Sequence, residues 1–154
     1  MALVQSVFLR NQLAPKQGDL MALLLDKDYA ELDQRGLCYQ EDEANRFLIF
    51  KDYPLPEGTY TVNACDVLVV IPPNYNQAGN DMFWTYPRLN RTDRKPIIQS
   101  NDPGGGDNRQ YQGREFCRWS RHWNPGMAGV WRPGMDNIVS IQRRLEWAFQ
   151  NPDT

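Results

Sequence analysis

The sequence predicts an α+β fold in which an N-terminal helix leads into a four-stranded antiparallel meander and a C-terminal helix closes the chain. Three observations support this prediction. Apolar residues recur at helical spacing near both ends, short apolar runs separated by turn residues lie between them, and 154 residues are enough for one domain. We expect residues 1–16 to form an N-terminal tail and residues 17–150 to form the domain.

The first helix is predicted from an apolar spacing that begins at Leu20 and continues to Leu32. Asp19 precedes this pattern and is a suitable N-cap, because its carboxylate can accept a hydrogen bond from an unpaired N–H of the first turn. Gly36 stands where a C-cap glycine belongs. We therefore expect a short amphipathic helix between these two residues.

Four strands are predicted between the helices, over residues 37–40, 46–50, 65–71 and 81–85. The third is the strongest, because its β-branched run favours a central position in a sheet. Residues 87–110 are polar and rich in glycine and proline, so we expect a long irregular segment there. The last helix is predicted to begin after Asp136 as its cap. Spacings of three and four place its apolar residues on one buried face: Ile138, Ile141, Leu145 and Phe149.

Composition excludes several classes of function. The net charge of −2 gives no indication of nucleic-acid or membrane binding, and no apolar run approaches the roughly 20 residues that span a bilayer. The three cysteines are far apart and no signal-peptide pattern opens the sequence, which favours free thiols in the cytoplasm. A single histidine and no paired cysteine spacing argue against a metal site, and we expect no cofactor.

The segment that ends at His122 carries the residues most suited to chemistry. Cys117, Ser120 and the chain's only histidine, His122, lie within six residues, shortly before the turn Trp131-Arg132-Pro133-Gly134. A nucleophile beside a base is the arrangement that acyl-transfer chemistry uses. Proline in such a turn presets φ at the start of a helix.

Five short motifs occur in the order found in ubiquitin-conjugating enzymes. The chain resembles a bacterial branch of that superfamily, prokaryotic family E, over about residues 19–149. The motifs that carry this resemblance are Tyr53 to Gly58, Cys65 to Tyr75, Asp81 to Trp84, Trp119 to His122 and Trp131 to Gly134.

The resemblance implies a ubiquitin-conjugating-enzyme-like fold and a transferase function. Such a protein would accept the C-terminus of a bacterial ubiquitin-like protein from an activating enzyme, as an oxyester or thioester, and pass it to an amine of a target protein. The alternative is a noncatalytic binding module of the same fold that recruits the ubiquitin-like protein or the activating enzyme.

The position of the nucleophile departs from the family pattern. The usual cysteine lies between a His-Pro-Asn motif and the tryptophan of the turn, but residues 123–130 contain neither cysteine nor serine. His122-Trp123-Asn124 only partly matches that motif, and the resemblance implies that Asn124 supports the oxyanion. Three alternatives follow: Cys117 forms a thioester, Ser120 forms an oxyester with His122 as base, or neither residue reacts.

Strand geometry favours Ser120 over Cys117, because residues two apart on a strand share a face. A small hydrolase is disfavoured, because no carboxylate is clearly placed to orient His122. Asp81 and Asp66 could be catalytic carboxylates, but each stands at the start of a strand and is expected to bind backbone instead. The basic cluster around Arg118 is expected to be solvated and able to dock an acidic partner. The residues predicted to contact partners are Arg118, Arg121, Trp131 and Arg132.

Overall fold

The computed structural model describes residues 22–123 and 129–154, and the predicted tail, residues 1–16, lies outside them. The α+β class is confirmed, since helices flank an antiparallel sheet. The elements of the described residues are, in chain order, α1 (Asp26–Gln34), β1 (Cys38–Asp42), β2 (Phe47–Pro54), β3 (Ala64–Val70), β4 (Phe83–Tyr86), β5 (Arg109–Tyr111), β6 (Arg114–Trp119) and α2 (Ile138–Gln150).

The sheet has six strands in the described part of the chain, so the predicted count of four is wrong. Its order is β1-β2-β3-β4-β6-β5, and every neighbouring pair is antiparallel. The added hairpin joins β5 to β6 through Gln112 and Gly113, whose φ angles of 54° and 75° suit a tight two-residue turn. The three residues of β5 are Arg-Gln-Tyr, so this strand offers no apolar alternation that a sequence pattern could detect.

The main core lies between the sheet and the two helices. The predicted apolar face of α2 is confirmed, because all four of its residues are buried, and β3 is central as its sequence indicates. Three rings fix the end of β6 to this core. Trp119 stacks on Phe83 with ring centroids 5.3 Å apart and meets Phe149 of α2 edge-on at 5.1 Å. This cluster holds the residues that follow Trp119 close to α2.

Both helices begin later than the sequence suggests. Asp28 accepts a hydrogen bond from the Leu25 N–H at 3.0 Å, so α1 begins at Asp26, while the predicted cap Asp19 lies outside the described residues. In α2 the cap is Asn137, whose side chain accepts from the Val139 N–H at 2.9 Å. Asp136 is instead bound by Arg132. No helix among the residues that the structure describes has the length and apolar character needed to cross a membrane.

Candidate active site

Three polar side chains form a hydrogen-bonded chain just beyond the end of β6. The hydroxyl oxygen of Ser120 lies 2.9 Å from Nε2 of His122, and Nδ1 of the same ring lies 2.6 Å from Oδ1 of Asp81. The side chains of His122 and Asp81 are 45% and 70% exposed, so the group is open to solvent and to an approaching partner. A hydroxyl, an imidazole and a carboxylate in this order form the arrangement that activates a serine nucleophile.

The register of the sheet brings these residues together from distant parts of the chain. Phe83 of β4 lies opposite Trp119 of β6 in antiparallel pairing. Because Asp81 precedes Phe83 by two residues, continuing that register carries it to the level of the residues just beyond Trp119. Ser120 is held at the other side, where its N–H donates to the Gln99 carbonyl at 2.8 Å.

The contact with Asp81 decides what His122 can do. A carboxylate beside Nδ1 favours the tautomer with the proton on that nitrogen, which leaves the Nε2 lone pair free to accept the Ser120 proton. The same carboxylate stabilises the imidazolium that forms when the proton is transferred. His122 can therefore act as a general base toward Ser120.

Trp123, the residue after His122, fixes the position of this segment through its indole ring. The Trp123 indole N–H donates to Asn80 Oδ1 at 3.4 Å, and its ring meets the Trp131 ring edge-on at 5.1 Å. Asn80 directly precedes Asp81, so one short stretch binds both His122 and Trp123. A guanidinium N–H of Arg144 donates to the His122 carbonyl.

Cys117 is not brought together with His122. Its side chain is 2% exposed and shares a face of β6 with the core residue Trp119. Burial raises the pKa of the Cys117 thiol, and the charge of Glu115 raises it further. Because the thiolate is the reactive form, this environment suppresses the nucleophilicity of Cys117.

Two of the four predicted partner-binding residues, Arg121 and Trp131, are buried. Arg121 is 0% exposed, which corrects the expectation of a solvated basic face, because its guanidinium packs 5.1 Å from the centre of the buried Trp119 ring. Trp131 is buried and donates from its indole to the Asn76 carbonyl, while Arg118 is ion-paired with Asp107 at 2.8 Å. Arg132 is 65% exposed and pairs with Asp136.

Two further predictions have a mixed outcome. Asn124, the implied oxyanion donor, lies outside the described residues. The expectation that Asp81 binds backbone is corrected by its contact with His122. The sequence signal for Asp81 is only its place two residues before an apolar strand, and it becomes informative once β4 is known to pair with β6. Asp66 does accept from a backbone N–H, that of Asp52 at 3.0 Å.

Comparison with known families gives one match. A family model described as Prokaryotic E2 family E matches residues 24–152, which include Ser120, His122 and Asp81. No curated protein and no solved structure matches the chain significantly.

Proposed function

Since this chain belongs to prokaryotic E2 family E, we propose that it is a ubiquitin-conjugating-like acyl transferase with Ser120 as its acceptor. Membership indicates a function related to ubiquitin-like conjugation, and it suggests a ubiquitin-like protein and an activating enzyme as partners. The finer proposal, an oxyester on a serine, rests on the geometry of this chain.

The proposed reaction has two steps. In the first, Ser120 Oγ attacks the activated glycine carbonyl, His122 Nε2 takes the hydroxyl proton, the bond from that carbonyl to the activating enzyme breaks, and His122 passes the proton to the leaving group. In the second, a target amine attacks the ester carbonyl. A C–N bond forms, the C–O bond to Ser120 breaks, and the proton that His122 takes from the amine passes to the serine oxygen.

The contact of 2.9 Å between Ser120 Oγ and His122 Nε2 carries this proposal. It supports Ser120 over Cys117, because a serine needs an adjacent base and has one here, whereas the thiol is buried with a raised pKa. Asp81 adds a group that orients the base.

The proposal is tested by mixing the protein with its activating enzyme, the ubiquitin-like protein and ATP, and then separating the products on a denaturing gel. We expect an adduct that survives a thiol reductant and is cleaved by hydroxylamine. Ser120→Ala should abolish it, His122→Ala should slow its formation, and Cys117→Ala should leave it intact. An adduct cleaved by reductant would instead identify a thioester. Tight binding without any adduct would identify the noncatalytic module.

A small serine hydrolase is a second candidate, and the contact between Asp81 and His122 is the observation that favours it. The sequence offered Asp81 only as a possible carboxylate, and its contact with His122 supports this role. In this case water would attack the ester on Ser120 and release a free acid. Turnover of a p-nitrophenyl ester by the protein alone, lost in Ser120→Ala, would support this candidate. A rate equal to that of buffer would contradict it.

A further inference from the structure

Two buried arginines lie directly behind the segment that carries the nucleophile and the base. Arg121 is 0% and Arg144 is 2% exposed. Arg121 donates to the Ser120 carbonyl at 3.3 Å, and Arg144 donates to the His122 carbonyl. Each guanidinium also lies 5.1 Å from the centre of an indole ring, that of Trp119 or of Trp123. The two cations therefore contact the backbone on both sides of the active-site segment.

These guanidinium groups retain unused donors. Nε and Nη2 of Arg121 and Nε and Nη1 of Arg144 have no hydrogen-bond partner within the described ranges. Among the described residues, neither arginine forms an ion pair with a carboxylate. The charge of Asp81 attracts Arg144, but its effect on the pKa of Arg144 is smaller than the effects of burial and of the Arg121 charge. Burial, and then the charge of Arg121, lowers the pKa of Arg144 to about 10. Two buried positive charges with unpaired donors destabilise the folded state unless a group of opposite charge binds beside them.

A cavity extends from the surface to Arg144, one member of this pair. It measures about 560 Å³, and Arg144 forms part of its wall together with the exposed Arg143 and the indoles of Trp123 and Trp147. Arg132 also lines it, but its charge is balanced by Asp136. The lining is therefore positive overall, and Arg144 contributes to this charge.

We propose that Arg121 and Arg144 form a binding site for a small oxyanion of the phosphate or carboxylate class. The planar fork of a guanidinium matches the oxygens of such an anion, and a desolvated site strengthens the contact. Because the same two side chains bind the carbonyls of Ser120 and His122, an anion held between them fixes the segment that carries both residues. This inference does not depend on acyl transfer.

Thermal unfolding of the whole protein tests the site. Sodium phosphate, or sodium acetate in a parallel series, is added up to about 100 mM while NaCl keeps the ionic strength constant. We expect at least one of the two anions to give a saturable rise in Tm of about 5 °C for the unmodified protein, because a ligand that binds only the native state stabilises it. Arg121→Met and Arg144→Met should lose this rise. Arg35→Met, which removes a surface ion pair with Glu31, should retain it.

The comparison among variants separates specific binding from general salt effects, which act on every variant alike. The proposal is overturned if neither anion gives a saturable rise in the unmodified protein, or if both methionine variants keep it. If those variants do not fold, tryptophan fluorescence of the unmodified protein decides, because Trp123 lies against Arg144. A saturable change then supports the site and a flat titration contradicts it. The adduct experiment can fail without affecting this result.

Discussion

The chemistry proposed for Ser120 depends on His122 and Asp81. An alcohol is a weak nucleophile at neutral pH, and it becomes reactive when an oriented base lies within hydrogen-bond distance. All three side chains are at least partly exposed, and exposed ion pairs contribute little to stability. Substitutions here should therefore change reactivity while the fold stays intact.

We expect Asp81→Asn to slow adduct formation by about 10²–10⁴-fold, because an amide no longer selects the tautomer with the proton on Nδ1. The measurement is the initial rate of adduct formation at saturating activating enzyme. Asp107→Asn is the matched control, since it breaks a similarly exposed ion pair with Arg118. It should leave the rate almost unchanged. An unaltered rate in Asp81→Asn would remove the orienting role of this carboxylate.

The three thiols should differ sharply in reactivity. Cys38 is exposed, whereas Cys65 and Cys117 are buried and burial raises the pKa of both. A chromogenic disulfide reagent should therefore modify one thiol per native molecule quickly and all three after unfolding. Peptide mapping should place the first label on Cys38. Early labelling of Cys117 would show that this thiol is accessible after all.

The two-residue spacing of Ser120 and His122 suggested a shared strand face, and their side chains do meet, but not on a strand. Both residues lie beyond the end of β6, where the Arg121 N–H donates to the Trp119 carbonyl in a tight turn. The sequence could not place Asp81 beside His122, because the two are 41 residues apart and their contact depends on how β4 pairs with β6. The cluster of arginines around Arg121 suggested a solvated face, but the tight turn after Trp119 places the Arg121 guanidinium against the Trp119 ring in the core.

The turn from Trp131 to Gly134, which precedes α2, is fixed by close packing. The Trp131 ring lies directly on Gly79, so closely that a methyl group at this position would overlap it. Asp136 ties the other end of the turn, accepting from the Arg132 N–H at 2.7 Å and from the Ser140 hydroxyl at 2.9 Å.

Gly79→Ala should lower the free energy of unfolding by about 1–3 kcal/mol, because the Trp131 ring must move to make room. Urea unfolding followed by tryptophan fluorescence measures the change. Gly106→Ala is the control, since a methyl group there would contact nothing within 4 Å and the backbone is not left-handed. Equal free energies of unfolding for the two variants would contradict this, because the Trp131 ring would then move at no cost.

Asp136→Ala should cost about 2–3 kcal/mol at neutral pH, because the Arg132 N–H and the Ser140 hydroxyl lose hydrogen bonds to a carboxylate that is itself buried. Burial alone raises the pKa of Asp136, but the hydrogen bonds from Arg132 and Ser140 outweigh it and lower the pKa. The stabilisation is thus present above the ordinary carboxyl pKa and is lost as the pH falls through the lowered value. Urea unfolding at pH 7 and pH 2 should show the difference from the unmodified protein shrinking in acid. An equal difference at both values would contradict this assignment.

Elements with a strong apolar period were predictable, and the others were not. The buried face of α2 and the central run of β3 follow from spacing and β-branched content. The hairpin of β5 and β6 escaped because a polar three-residue strand is formed by its turn and its partner. The late start of α1 at Asp26 depends on the contact between Asp28 and the Leu25 N–H.

The fold brings the residues of the candidate site together from parts of the chain that are distant in sequence. The pairing of β4 with β6 brings Asp81 to His122, and Ser120 follows the last residue of β6. Arg144 of α2 donates a hydrogen bond to the His122 carbonyl. The same fold keeps Cys117 in the interior. The proposed acceptor, Ser120, is therefore partly exposed, whereas the Cys117 thiol lies in the core.

The position of the acyl group in the adduct tests most directly whether Ser120 is the acceptor. Trypsin cleaves after arginine, so it places Cys117 in the peptide Glu115–Arg118 and Ser120 in the separate peptide Trp119–Arg121. The adduct formed with the activating enzyme, the ubiquitin-like protein and ATP is digested at mildly acidic pH and analysed by tandem mass spectrometry. We predict the glycine remnant on Ser120. A remnant on Cys117, or on neither peptide of a confirmed adduct, would contradict the assignment.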